Sequence, residues 1–124
     1  MRFLTLGALG LSALLAACTS AAGYVPQKIT KDDKAVHDRT LKLRLRNFEG
    51  SQFLTEPKLA VNPKGVRLMC GAINAPNGFG GYNGYQVYSI IYAPNIPNSV
   101  PIFSAGALSA IDCKGAGIPI STLP

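Results

Sequence analysis

A chain of 124 residues holds one domain. With 48% hydrophobic residues, 15% charged residues and a net charge of +6, it is too apolar and too sparsely charged to be disordered. Three cysteines are too few for a disulfide-dense miniprotein.

Arg2 supplies one positive charge, and Phe3 to Leu15 follows with no charge at all. That apolar run spans only about 20 Å as a helix, short of a membrane crossing, and reads as a secretory signal. It ends in Leu15-Ala16-Ala17-Cys18, which resembles the bacterial lipobox of a Leu, two small residues and an obligatory Cys. The resemblance implies cleavage after residue 17 and a diacylglyceryl group on the Cys18 thiol, with a further acyl chain on the freed amine. Two or more chains anchor stably where one does not. Thr19 in place of an Asp implies the outer membrane, with the domain facing the periplasm and reaching the membrane only through its lipid. The competing reading is an ordinary signal peptide in which Cys18 is incidental.

Residues 18–29 are expected to form the lipid anchor and tether, of which 19–27 are small and uncharged, the alternative being an arm packed on the domain. Residues 30–124 are expected to form a small α+β periplasmic domain. Charge divides it sharply. Residues 28–67 carry ten of the twelve Lys/Arg and five of the six Asp/Glu, whereas residues 71–124 carry only Asp112 and Lys114.

Thr30 to Asn47 is the best helix segment. Thr30 and Asp33 make an approximate capping box, and Lys42, Arg44 and Arg46 complement the dipole at the far end. Val36, Thr40 and Leu43 form one stripe, Leu41, Leu45 and Phe48 its neighbour, and Gly50 terminates the helix. The alternation of Leu41 to Arg46 leaves a strand open as the competitor. Strands are predicted at 59–61, 66–73 and 85–92, with a turn at Asn62-Pro63-Lys64-Gly65. A further short strand is predicted at 102–103 and a short helix at 105–112, ended by Gly115-Ala116-Gly117. The fold class is therefore α+β, with an N-terminal helix on a small antiparallel sheet.

With Cys18 taken by lipid, Cys70 and Cys113 remain, and in an oxidising compartment they are expected to pair. The bond closes a loop of about 44 residues, worth about 4 kcal/mol by chain entropy. Two separate buried thiols are the alternative. No metal-ligand spacing, cofactor motif or C-x-x-C is present. His37 is the only histidine, and it is read as a surface residue of the basic helix. Its neighbour Asp38 is not expected to face it. No paired carboxylates stand out, so the chain is read as non-catalytic.

Cys70 to Tyr85 (CGAINAPNGFGGYNGY) resembles the signature C-G-x-x-N-x-x-N-x-F-G-G-Y-x-G-aromatic of small, functionally uncharacterised exported proteobacterial proteins. The resemblance extends upstream to a turn ending at Phe53, although the Pro of the family's turn is missing. It implies an α+β fold and no particular activity. Asn74 and Asn77 suit Asx-turns, and Gly80 and Gly81 suit backbone shapes closed to other residues. One reading makes the stretch a complicated hairpin loop with Phe79 and Tyr82 folded back. The other makes Asn74, Asn77, Phe79, Gly80, Gly81 and Tyr82 a recognition surface, given the Tyr, Asn, Gly and Ser composition.

The expected function is thus a non-catalytic envelope component that binds a protein partner or a cell-wall glycan, or alternatively an envelope enzyme or enzyme inhibitor. An enzyme should gather His37, Glu56 or Asp112 in one cleft. A binder should display Asn77, Phe79 and Tyr82. The basic segment fits anionic lipid or glycan, and nucleic acid fits the charge but not the compartment.

Overall fold

The computed structural model describes residues 23–124. The expected signal peptide, Cys18 and residues 19–22 of the tether lie outside the described residues. The elements are β1 (Val25–Gln27), α1 (Lys31–Arg44), β2 (Gln52–Phe53), β3 (Lys58–Val61), β4 (Arg67–Asn74), β5 (Gln86–Tyr92), β6 (Ile102–Ala105) and α2 (Ala107–Gly115). The strands form one antiparallel sheet in the order β1-β3-β4-β5-β6, and β2 pairs with the far end of β4. The chain is α+β, as its composition and segment order suggest.

Strand alternation divides the sheet into two buried faces. On one, Leu41 of α1 packs with Leu59, Met69, Ile73, Tyr88, Ile90 and Tyr92. On the other, Cys113 of α2 and the following Ala116 and Ile118 pack with Ala60, Leu68, Cys70 and Val87. Helices therefore cover both faces, where sequence reasoning placed one helix on the sheet. Cys70 of β4 and Cys113 of α2 form the expected disulfide, with Cα atoms 6.1 Å apart.

α1 begins at the anticipated capping box. The Asp33 N–H donates to Thr30 Oγ1 at 3.1 Å, and the Thr30 N–H donates to Asp33 Oδ2 at 2.8 Å. The helix stops earlier than expected, with Leu45 as its C-cap, because Leu45 is already extended at φ −89°, ψ 137°. Gly50 is not the terminator. It belongs to a separate turn in which Asn47 Oδ1 accepts the Gly50 N–H at 2.8 Å.

The buried side of α1 is not the expected apolar stripe. It consists of Asp33, His37, Thr40 and Leu41, while Leu43 is 79% exposed. Spacings of four, three and one put these four on one helix face, so the periodicity is helical while the chemistry is polar.

The tether expectation fails at Val25–Gln27, which pairs with Val61, Ala60 and Leu59 as an edge strand. The run is three residues long and contains Pro26, which is why it carries almost no strand signal. The Asn62–Gly65 turn forms as read, with Asn62 Oδ1 accepting the N–H groups of Lys64 and Val66 at 3.0 and 2.9 Å. Gly65 has φ +80° and closes it.

Candidate functional site

The connection from β4 to β5 is a stiff, built loop. At its base, the mostly buried Asn74 accepts the Gly84 N–H at 3.2 Å and donates to Gln52 Oε1 at 3.2 Å. At its tip, Asn77 Oδ1 accepts the N–H groups of Phe79 and Gly81 at 2.9 and 3.1 Å. The Asn77 amide donates to Asn83 Oδ1 at 3.3 Å, and its backbone N–H donates to Gly81 O at 2.7 Å. A Pro76–Tyr82 bridge completes the miniature hairpin. These are the Asx-type side-chain contacts expected from the two asparagines.

Gly80 and Gly84 have φ of +81° and +98°, where an L side chain is strained. Gly81 does not. A Cβ there would meet nothing closer than the Asn77 amide at 3.5 Å, so the expectation that Gly81 requires glycine is overturned. Gly80→Val is expected to destabilise the loop by about 1–3 kcal/mol, while Gly81→Ala is tolerated.

The aromatic residues part company. Phe79 is fully exposed and does not fold back over the hairpin. Tyr82 is 47% exposed, and its hydroxyl donates to Gly50 O at 2.7 Å, tying the loop to the turn after α1. The guanidinium of Arg46, from that same turn, lies beside Gly78. The loop thus presents one unpacked aromatic ring and one half-exposed tyrosine, with a cation alongside.

A second polar cluster lies under α1. Asp33 is 1% exposed, and its carboxylate accepts from Arg67 Nε at 2.7 Å, Arg67 Nη2 at 2.8 Å, the Thr30 N–H and hydroxyl, and the Tyr92 hydroxyl. Burial alone would raise its pKa. The hydrogen bonds from Arg67 and Thr30 outweigh that and hold it below the usual carboxylate value.

Beside it, His37 is 1% exposed, not the surface residue expected, and it does meet Asp38. Asp38 Oδ1 lies 2.8 Å from His37 Nδ1 and 3.1 Å from Lys34 Nζ. The ionised carboxylate can only accept, so Nδ1 carries the imidazole proton and Nε2 accepts from the Tyr88 hydroxyl at 2.6 Å. Burial lowers the His37 pKa, and the Lys34 cation lowers it further against the opposing pull of Asp38. Burial raises the Tyr88 phenol, helped by the charges of Asp38 and Glu56.

His37, Glu56 and Lys34 line one cleft of about 280 Å³ with Phe53, Thr55 and Pro57. Asp112 is not part of it and lines a cleft on the α2 face with Tyr24 and Leu68. The gathering that would mark an enzyme thus exists for two of the three residues. Both imidazole nitrogens are engaged, by Asp38 and by the Tyr88 hydroxyl, and the His37 and Tyr88 side chains are both buried in this arrangement. Among the described residues, no group of three or more His, Cys, Asp or Glu is placed to hold a metal ion. No helix among them is long and apolar enough to cross a membrane.

Sequence reasoning missed this cluster because its partners are far apart in the chain. Asp33 reaches Arg67 and Tyr92, 34 and 59 positions away, and His37 reaches Tyr88, 51 positions away. The available signal was the helical spacing of Asp33, His37 and Leu41. No family model, no curated protein and no solved structure matches the chain.

Proposed function

We propose that this protein is a bacterial outer-membrane lipoprotein, anchored through Cys18, whose periplasm-facing domain is a non-catalytic binding component. The anchor rests on Leu15-Ala16-Ala17-Cys18 behind a short apolar run. The binding role rests on one observation. The Asn-pinned loop spends its rigidity on displaying Phe79, a ring that contributes nothing to the core. An exposed aromatic on a pinned backbone has only its own side-chain torsions to lose on contact, which suits either a protein partner or the apolar face of a cell-wall sugar.

The anchor is tested by metabolic labelling with a palmitate analogue. Wild type should be labelled and Cys18→Ser should not, and equal labelling would remove the lipoprotein reading. The binding role is tested by photo-crosslinking from position 79 in intact envelopes. Phe79→Ala should change stability by less than about 0.5 kcal/mol while abolishing capture of the crosslinked partner by the unlabelled domain. Undiminished capture would refute the role of the loop. The alternative of an envelope enzyme or inhibitor draws on the His37–Glu56 cleft. It requires Tyr88 or Asp38 to release the imidazole.

A further inference from the structure

A different feature, independent of the loop and of the anchor, lies at the outer edge of β6. Ser104 pairs with Ser89, and the Gly106 N–H donates to Val87 O at 2.8 Å. In that phase of an antiparallel ladder, the N–H groups of Phe103 and Ala105 point away from β5. Among the described residues, no further backbone partner takes them. Proteins blunt such edges with charge, proline or brevity. The opposite edge follows that rule, because β1 is three residues long and contains Pro26. The β6 edge is brief too, four residues directly after Pro101, but it carries no charge of its own. No charged residue occurs between Arg67 and Asp112, and Val100, Ile102 and Leu108 around the edge are exposed.

The surroundings select the occupant. Arg39 and Arg44 of α1 line a cleft with Leu43, Val100 and Pro101 at the start of β6. Neither arginine makes an ion pair within the described residues. Pairing β6 with β6 of a second copy would extend the sheet and leave both α1 helices on one face, with these arginines against their counterparts. Like charges disfavour that arrangement. We infer that the β6 edge receives an extended polypeptide segment from a partner, added as a further strand, with apolar side chains toward Ile102 and acidic side chains toward Arg39 and Arg44.

The test uses the full chain and a short fluorescent peptide alternating valine with glutamate, against a control alternating valine with lysine. Hydrogen exchange should slow at the Phe103 and Ala105 amides when the glutamate peptide binds, and the lysine peptide should bind at least about tenfold more weakly. Ala105→Pro removes one outward donor and should abolish binding with an unchanged circular-dichroism spectrum. Should that variant misfold, Arg39→Glu combined with Arg44→Glu decides, with an expected loss of about tenfold or more for the glutamate peptide. Equal binding of both peptides would overturn the inference, as would no protection at 103 and 105. A dimer in sedimentation that protects the same amides without peptide would replace it with self-pairing.

Discussion

Under α1 the sheet meets a helix face containing an aspartate, a histidine and a threonine, and seven hydrogen bonds tie Asp33 and His37 to Arg67, Tyr88, Tyr92 and Thr30. Under α2 the sheet meets small apolar side chains, one Ser89–Ser109 contact at 3.2 Å, and a covalent bond. The first face gains specificity from directional partners, each of which must be present for the others to be tolerated in a dry site. The second tolerates a nearly featureless interface because Cys70–Cys113 holds α2 in place and restricts the unfolded chain. One helix is positioned by chemistry that reads its rotation, the other by a tether that needs only its proximity.

The contrast can be broken most severely at the covalent bond. The double variant Cys70→Ser, Cys113→Ser should lose about 4 kcal/mol, measured by urea denaturation of the oxidised wild type against the variant. A loss under 1 kcal/mol would show that α2 packs well enough alone. On the other face, Asp33→Asn keeps the shape but leaves Arg67 without its counter-charge and removes acceptor capacity. It should cost about 3 kcal/mol. A cost no larger than that of an exposed aspartate on α1 would reduce the polar face to decoration.

Tyr88→Phe leaves His37 Nε2 without its donor inside the core and should cost about 1–3 kcal/mol. The same imidazole makes the α1 face sensitive to acid. Its folded pKa lies below 6.5, so beneath that pH the unfolded chain binds a proton that the folded chain resists. Stability should therefore fall as pH drops from about 6.5 toward the lower folded value, and His37→Gln should flatten that stretch of the melting-temperature profile. Asp33 acts in a separate window. Its contribution is complete above pH 3.8 and is lost only as pH falls through its still lower folded pKa. The smallest effect belongs to the α2 face. Replacing both Ser89 and Ser109 by Ala should be within about 0.5–1 kcal/mol of neutral, because neither leaves an unpaired partner behind.

The same division explains what the chain discloses before folding. The capping box at Thr30 and Asp33, the Asn62 turn and the two long strands depend on residues within a few positions of each other, and all are present. The disulfide was accessible through the expected compartment and the cysteine count. The buried face of α1 was not, because Asp33 reads only as a capping residue and His37 as solvent-facing until Arg67, Tyr92 and Tyr88 are brought to them. The loop was half legible. Asn74 and Asn77 do what short polar side chains do locally, but the outward aim of Phe79 and the ordinary backbone of Gly81 depend on how the tip closes. The short strands at 25–27 and 52–53 gave no periodicity to detect.

Gly71 faces Tyr88 across the β4–β5 ladder, and a Cβ there would lie 2.7 Å from the ring. The long connection through residues 75–85 is a poor ruler for aligning the two strands, since many alignments could close it. The glycine supplies the missing index mark. Sliding β5 by two residues would set the Tyr88 ring against Met69 or Ile73, where side chains occupy the space that Gly71 leaves empty. A tyrosine that fits only one notch thereby sets the phase of both central strands. The distances from Tyr88 to His37 and from Tyr92 to Asp33 are inherited from that phase.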